Sequence, residues 1–420
     1  MPAGDLEKAK IAYQFGADAC YGSTSAFSMR TREIGFNYKT LKEAIDYAHS
    51  LGKKFYITLN TYPHEYELTK IRTHARKLIN MNPDAIILAD PGIIAIVNKE
   101  INKARSQKIK AKTNSKTGTY NLAIKQLNNI ELHLSTQANA TNSEAIKFWA
   151  QNGISRIVLP RELSIKEIAE IRRRLPKKIM LEAFVHGAMC NSVSGRCNLS
   201  NYLSYRDANR GACVQACRWK YSLVEEKRPG QFIPVGEDEN GSYIYNSKDL
   251  NMIEHLKDLH NAGIESFKVE GRNKSIYYCA IVARAYRKAI DNLSQSRNQD
   301  IIELKRELET VTNRGYSTGF YYGRPTDADI NYETSRPSSD WQFVGLVKKQ
   351  LSSKCYLVEA RNELKVGTEV EIVTPSDIFK TKLKSIADQN NNIVQKVNPN
   401  SKFILNHKME LPINTFLRAK

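Results

Sequence analysis

The chain has 420 residues, 41% hydrophobic and 25% charged, a balance that excludes a disordered chain and leaves room for one large and one small domain. No apolar run approaches the roughly 20 residues that span a bilayer, and the opening MPAGDLEKAK lacks the apolar core of a secretory signal, so a cytoplasmic protein is expected. The 63 Lys and Arg exceed the 44 Asp and Glu by 19, which would draw phosphate backbones to the surface but is equally what heavy use of Lys, Asn and Ile leaves behind.

From residue 5 to about 295, short apolar strands alternate with amphipathic helices. The helix LEKAKIAYQFG precedes a strand at 17–22. YKTLKEAIDYAHSLG then leads into a strand at 53–60, and further strands are expected at 84–90, 130–139, 154–160, 178–187 and 264–271. SEAIKFWAQNG and KDLNMIEHLKDLHNAG are helices among them, each stopped by a glycine before the next strand. Repeated β-α units imply a parallel sheet covered by helices. Seven strands are visible where eight would close a TIM-like (β/α)8 barrel. The chain reads as that barrel lacking its first strand, with an open doubly wound sheet as the alternative.

Residues 94–129 interrupt the spacing with a basic polar insertion, read as a surface excursion, with a nucleic-acid contact as the alternative. A barrel domain over 1–295 is followed by a helical and extended connector at 296–341. The last 80 residues change to short alternating runs split by KVGTE and DQNNN, which implies a small C-terminal β-barrel-like domain at 342–420.

In such barrels the reactive groups stand at the C-terminal ends of strands. Those ends carry Thr58, Asn60, Asp90, Ser135, Thr136, Gln137, Asn139, Arg161, Glu162, Glu182, His186, Lys268, Glu270 and Arg272. Each alone is weak, because polar residues at strand ends often cap helices. Ser164, three residues before Glu167, fits a capping box and is assigned a structural role. His186 stands out because it lies four residues before Cys190, where a long loop (187–246) leaves the barrel.

Four of the seven cysteines fall in that loop, spaced C-x6-C-x15-C-x3-C as Cys190, Cys197, Cys213 and Cys217. Cytosolic thiols are kept reduced, so a cluster of them points to metal or chemistry. Zinc favours tighter C-x2–4-C pairs, which only Cys213 and Cys217 approach. Four thiolates on longer loops suit an iron–sulfur cluster, with zinc or unligated thiols as the alternatives. A 4Fe–4S cluster with its thiolates carries about −2, and Arg196, Arg206, Arg210, Arg218 and Lys220 lie in the same stretch to offset it. The other cysteines, Cys20, Cys279 and Cys355, read as ordinary core residues. The sequence holds no HExxH helix, GxSxG elbow, Walker loop or dinucleotide fingerprint.

PAGDLEKAK, GADACYG, FSMR, LSTQAN, EAFVHGAMCNSVSGRC, RDANRGACVQACRWKY, KVEGR and NRGYSTGFYYGRP together resemble peptidase family 32 of the unassigned catalytic type, the collagenase-like peptidases. FVGLV, EARNELKVG and EIVTP resemble the C-terminal domain of its bacterial tRNA-hydroxylation branch. The resemblance implies hydroxylation of the wobble uridine of tRNA to 5-hydroxyuridine without oxygen, with prephenate as a required small carboxylate. It also implies a 4Fe–4S cluster on Cys190, Cys197, Cys213 and Cys217. Other branches act on ribosomal RNA or quinone precursors, and the peptidase label implies proteolysis as a rival reading. Within that frame Glu182, His186 and Gln137 are candidate catalytic residues. Arg161, Lys268, Arg272, Glu270 and Asn139 are candidate substrate contacts, the cations for the carboxylates of prephenate and the amides of Gln137 and Asn139 for a base edge. The chain departs from the family pattern in the first strand and in a short GADACYGST segment, which bears on contacts from Ser23 to Arg30.

Overall fold

The computed structural model describes residues 1–27, 35–113, 130–190, 192–218, 236–238, 241–243, 247–293, 298–329, 331 and 337–420. The chain divides into two compact units: residues 1–13, 18–274 and 314–336, and residues 14–17, 275–313 and 337–420.

The first unit is a parallel sheet with helices between its strands. In order come α1 (Leu6–Gln14), β1 (Ala19–Gly22), α2 (Tyr38–Ser50), β2 (Lys54–Leu59), α3 (Leu68–Asn80), β3 (Ala85–Leu88), α4 (Pro91–Thr113) and β4 (Glu131–Leu134). Next are α5 (Ser143–Gln151), β5 (Arg156–Val158), α6 (Ile165–Arg173) and β6 (Met180–Gly187). After the cysteine loop and its short helix α7 (Leu199–Ser204) follow β7 (Asp249–Asn251), α8 (Leu256–Asn261) and β8 (Ser266–Val269). Strands β1 to β6 pair in sequence, each parallel to the last, and β8 adds in parallel to β6. Runs such as AIIL at 85–88 are buried along their whole length, as strands covered on both sides must be. Helix starts follow the local chemistry: Asn37, Asn142 and Ser164 each accept a backbone N–H of the following helix. Ser164 forms the expected capping box with Glu167.

The two ends of this run of strands meet. Tyr21 of β1 donates its hydroxyl to the Val269 carbonyl of β8 at 2.8 Å, and the Lys268 ammonium lies 4.1 Å from the Tyr21 ring centroid. Met1–Ala3 run alongside β1, bridged in parallel at Pro2 and Tyr21, with Tyr21 N–H bonded to Met1 O and Ala3 N–H to Tyr21 O.

Three segments depart from the sequence reading. KDLNMIEHLKDLHNAG is not one helix: Asp249–Asn251 is a buried strand, and only Leu256–Asn261 is α-helical. The break lies at Asn251, whose side chain accepts the Ile253 N–H at 3.1 Å and turns the chain. β7 pairs antiparallel with the end of β6 and parallel with β9 (Tyr316–Ser317), inside the segment read as an extended connector. The insertion expected at 94–129 is helical through Thr113 as part of α4, and residues 114–129 lie outside the described residues.

The second unit combines α9 (Ile276–Asp291) and α10 (Asn298–Leu308) with an antiparallel β domain. Its strands are β10 (Gln342–Ser352), β11 (Cys355–Ala360), β12 (Leu364–Lys365), β13 (Glu369–Val373), β14 (Ile378–Lys382), β15 (Ile386–Asp388), β16 (Ile393–Val394), β17 (Lys396–Val397), β18 (Lys402–Asn406) and β19 (Phe416–Ala419). Eight of them form one sheet in the order β14-β13-β19-β10-β11-β18-β15-β16, and β12 pairs with β17. Alternate residues Tyr356, Val358 and Ala360 of β11 turn inward onto Val344, Ile372, Phe403 and Leu417. Phe416 packs against Phe15, Tyr277 and Phe343 at 5.2–5.8 Å between ring centroids, which ties α9 and residues 14–17 to this sheet.

Candidate active site

Because side chains alternate along a strand, the inner residues of the parallel sheet stack in layers. The lower layer holds Tyr56, His133, Arg156, Glu182 and Ser266. Arg156 Nη1 lies 3.1 Å from Glu182 Oε2, the Ser266 hydroxyl donates to the same oxygen at 2.8 Å, and Lys268 Nζ meets Oε1 at 2.7 Å. His133 is fully buried, 2.8 Å from Glu131 Oε2 and edge-on to Tyr56. Burial by itself would raise the carboxyl of Glu182; the adjacent Lys268 and Arg156 charges outweigh it and hold Glu182 ionised, far below the usual carboxylate range.

The upper layer, one step along each strand, opens into a cavity of about 90 Å³. Tyr21, Thr58, Ile87, Val158, Phe184 and Lys268 line it from the strands, joined by Asn60, Ser135, Thr136, Gln137, Arg161, Glu270 and Arg272 from the segments that follow them. Arg161 lies over the Phe184 ring at 4.3 Å and donates to the Ala188 carbonyl at 2.5 Å. Arg272 donates to Ser23 Oγ at 3.1 Å and Thr58 Oγ1 at 3.0 Å. Asn60 Nδ2 donates to Gln137 Oε1 at 2.6 Å. That bond leaves Asn60 Oδ1 and Gln137 Nε2 buried without a hydrogen-bond partner among the described residues, as are Thr136 Oγ1 and Glu162 Oε2. Buried polar atoms are normally paired, so this group has unused capacity for a polar ligand.

The cysteine loop roofs the cavity. Ser194 and Gly195, between Cys190 and Cys197, complete its lining. Three bonds pin this turn: Ser194 N–H to Glu162 Oε1 at 2.6 Å, Ser194 Oγ to Asn139 Oδ1 at 2.6 Å, and Arg196 Nε to the Gln137 carbonyl at 2.7 Å. Asn139 and Ser194 both adopt left-handed backbone, at φ 55° and 52°, conformations that cost a non-glycine residue energy and persist where surrounding contacts impose them. Gly187, where the loop leaves β6, has φ 107°, and a Cβ there would stand 2.5 Å from the Glu270 carbonyl, so only glycine lets β6 pass this close to the residue after β8.

None of the four cysteines is in a disulfide; Cys190, Cys197 and Cys217 are half-buried and Cys213 is exposed. The Leu199 N–H points at Cys197 Sγ at 3.3 Å and the Gln215 N–H at Cys213 Sγ at 3.4 Å, while Ser200 Oγ is 3.8 Å from Cys213 Sγ. Among the described residues no three Cys, His, Asp or Glu side chains converge on one point as ligands of a single ion would. What fits an iron–sulfur cluster is the donor chemistry: four thiols in one loop, two of them already receiving the N–H donors that thiolate sulfur of a cluster accepts. Cys20 and Cys279 are buried and Cys355 half-buried. Lys220, Arg30 and the side chain of Arg218 lie outside the described residues.

Of the expected site residues, Gln137, Arg161, Lys268, Glu270 and Arg272 meet in the cavity. Glu182 lies one layer below, fully engaged by two cations. Asn139 does not line the cavity; its side chain holds the roof through Ser194. His186 is buried at the end of β6, hydrogen-bonded to Asn251 and set against the Tyr316 ring at 5.4 Å. Burial, with the Lys274 charge adding, pushes its imidazole down to about 3, so it is neutral at physiological pH. Tyr21, Arg156, Ser194 and Gly195 are site residues that the sequence reading passed over. Alternation from Val158 places Arg156 on the inner face, and that signal was present in ISRIVLP.

A parallel α/β sheet with a charged cavity at its strand ends, roofed by a loop of four cysteines, defines the class. The model of peptidase family U32 matches residues 4–122 and 98–331, and that of the family's C-terminal domain matches 339–418; the chain belongs to peptidase family U32. Among curated relatives, tRNA hydroxylation protein P of Haemophilus influenzae is 36% identical over 98% of this chain and 94% of its own length. The Escherichia coli protein of the same name is 37% identical over 89% of this chain and 85% of its own. The 23S rRNA 5-hydroxycytidine C2501 synthase of Escherichia coli is 31% identical over 70% of this chain and 39% of its own. Among the described residues no helix is long and apolar enough to cross a membrane.

Proposed function

We propose that this chain is an RNA-modifying enzyme that hydroxylates the wobble uridine of tRNA to 5-hydroxyuridine, independently of oxygen and dependent on prephenate, with a 4Fe–4S cluster held by Cys190, Cys197, Cys213 and Cys217. The observation that carries the reading is the roof. The turn between the first two cysteines closes a cavity lined by three cations and an amide pair, so a cluster on this loop would stand beside whatever the cavity binds. Relatives named for tRNA hydroxylation and for an rRNA hydroxycytidine support RNA as the substrate class. The contact of Tyr21 with Val269 supports closure of the sheet as a TIM-like (β/α)8 barrel.

The residues divide the work as follows. Arg161 and Arg272 are placed to bind the carboxylates of prephenate. Glu182 positions the Lys268 ammonium, which presents positive charge to the cavity. Asn60 Oδ1 and Gln137 Nε2 supply an acceptor and a donor for a base edge. Glu270 is the carboxylate that lines the cavity and receives the Tyr21 hydroxyl at 3.4 Å, which makes it the group to hold or move a proton. His186 is too depressed to act as a base and shapes the strand end instead. When bound, the cluster supplies either electron transfer or a Lewis-acid iron.

The test incubates anaerobically purified protein with tRNA lacking the modification, with and without prephenate, and measures 5-hydroxyuridine by nucleoside mass spectrometry. Product that requires both protein and prephenate supports the reading. Peptide cleavage that survives removal of iron, with no nucleoside product, would replace it by the peptidase reading.

A further inference from the structure

The outer face of the cysteine loop has aromatic groups that the fold does not use. Tyr202 and Tyr205 are 85% and 93% exposed, and Leu203 and Val193 of the same loop are also exposed. α7 is fastened from its other side, where Ser200 accepts the Val214 N–H at 3.3 Å and bonds Cys213. Tyr205 ends the helix in left-handed backbone at φ 55°, where glycine or asparagine sits at less cost. Its ring gains almost no burial in return. Solvent-exposed tyrosines on a loop that also lines a cavity are what a partner surface provides.

The charge on the loop narrows the partner. Between Cys190 and Cys217 the sequence has Arg196, Arg206 and Arg210 against a single acid, Asp207; Arg210 is paired with Glu67 at 2.6 Å and Arg196 is held on the Gln137 carbonyl, so Arg206, exposed next to Tyr205, is the cation offered to solvent. Flat exposed rings next to an exposed arginine match single-stranded nucleic acid, whose bases stack on aromatics while its phosphates meet cations. The same loop gives Ser194 and Gly195 to the cavity, so a strand that places one base in the cavity brings its neighbours to this loop.

We propose that Tyr202, Tyr205 and Arg206 form a stacking platform for the unpaired RNA nucleotides flanking the base in the cavity. This rests on RNA being the substrate, as read above. Stacking on a ring is indifferent to base identity, so the platform raises affinity for an open loop over a duplex without reading sequence.

The test measures binding of an anticodon stem-loop RNA and of an intact duplex of the same length to the full chain by fluorescence anisotropy, across a salt series. The Tyr202→Ser/Tyr205→Ser double variant should weaken stem-loop binding roughly tenfold or more, leave duplex binding unchanged, and keep the salt slope. Arg206→Gln should instead make the slope shallower. Tyr205→Asn suits the left-handed turn, so it keeps the fold while removing the ring and should give part of the loss. Phe148→Ser, an exposed aromatic on α5, should bind like the parent. If the parent binds and hydroxylates RNA but the double variant matches it, the platform is wrong while the functional reading stands. An unchanged RNA affinity with an altered oligomeric state would assign the tyrosines to contact between copies, and overturns the platform too. If the parent binds no RNA, both readings fall.

Discussion

At the residue scale the site rests on one buried carboxylate. Glu182 satisfies Arg156, Lys268 and Ser266 at once, so removing this one carboxylate leaves two buried cations without a counter-charge. Glu182→Leu should therefore cost about 3–5 kcal/mol of stability, as stranding buried charge does, while Lys268→Met keeps the Arg156–Glu182 pair, costs less, and should abolish hydroxylation. The Glu182→Leu/Lys268→Met double variant still strands Arg156, so thermal melts should show only partial recovery. Adding Arg156→Met should restore more of the stability but none of the activity. His186 gives a second handle. Its folded value of about 3 lies below the ordinary histidine range near 6.5, so protons bind the unfolded chain preferentially. The sign follows: its contribution is complete above about pH 6.5 and is lost as pH falls toward 3. His74, lowered to about 4 by burial, acts in the same direction. Denaturation midpoints measured from pH 7 to pH 4 should fall, and His186→Gln should flatten that slope. An unchanged slope would remove His186 from the account.

At the element scale the roof turn depends on contacts made by neighbouring loops. Glu162→Ala removes the acceptor of the Ser194 N–H and leaves that left-handed residue without one of its two anchors. Limited proteolysis should then cut the loop between Cys190 and Cys197 faster than in the parent, while overall melting shifts little. Cys197→Ala should abolish the visible absorption of anaerobically purified protein and its iron and sulfide content; an unchanged spectrum would refute its ligand role. These elements differ in how well the sequence announced them. The β-α alternation was legible because apolar runs such as AIIL bury both faces, and the strand ends were legible because polar residues follow those runs directly. The roof was not. Its bonds join Ser194 to Asn139 and Glu162, 55 and 32 residues away in the chain, and no local pattern encodes such a meeting. The strand at Asp249–Asn251 was hidden for a different reason. Asp249 is buried against Arg314 at 3.3 Å, so a tertiary ion pair overrides a segment whose local pattern is helical.

For the molecule as a whole the large positive charge is the feature to explain, and the C-terminal β domain is where it can be tested. Removing residues 342–420 outright is a poor experiment, because Phe416 packs on Tyr277 and Phe15 and Arg418 bonds Thr310 and Tyr277. The deletion would expose α9 along with whatever binding surface it removed. Point changes are cleaner. Lys380, Lys382 and Lys420 surround a cavity of about 510 Å³ beside Trp341, and cross-strand register sets Lys382 opposite Glu369 and Lys380 opposite Glu371. If these lysines are only a solvated charge ladder, replacing all three with alanine changes tRNA binding hardly at all, since exposed pairs contribute little. If they neutralise phosphates, each releases condensed counterions, and the logarithmic salt slope should become shallower by about two to three for the triple variant. The β domain core is untouched by these changes, so melting should stay within about 1 kcal/mol of the parent. A shallower slope at unchanged stability assigns part of the RNA contact to this domain. An unchanged slope returns it to the first unit, where Arg196, Arg206 and Arg210 stand on the loop that closes the site.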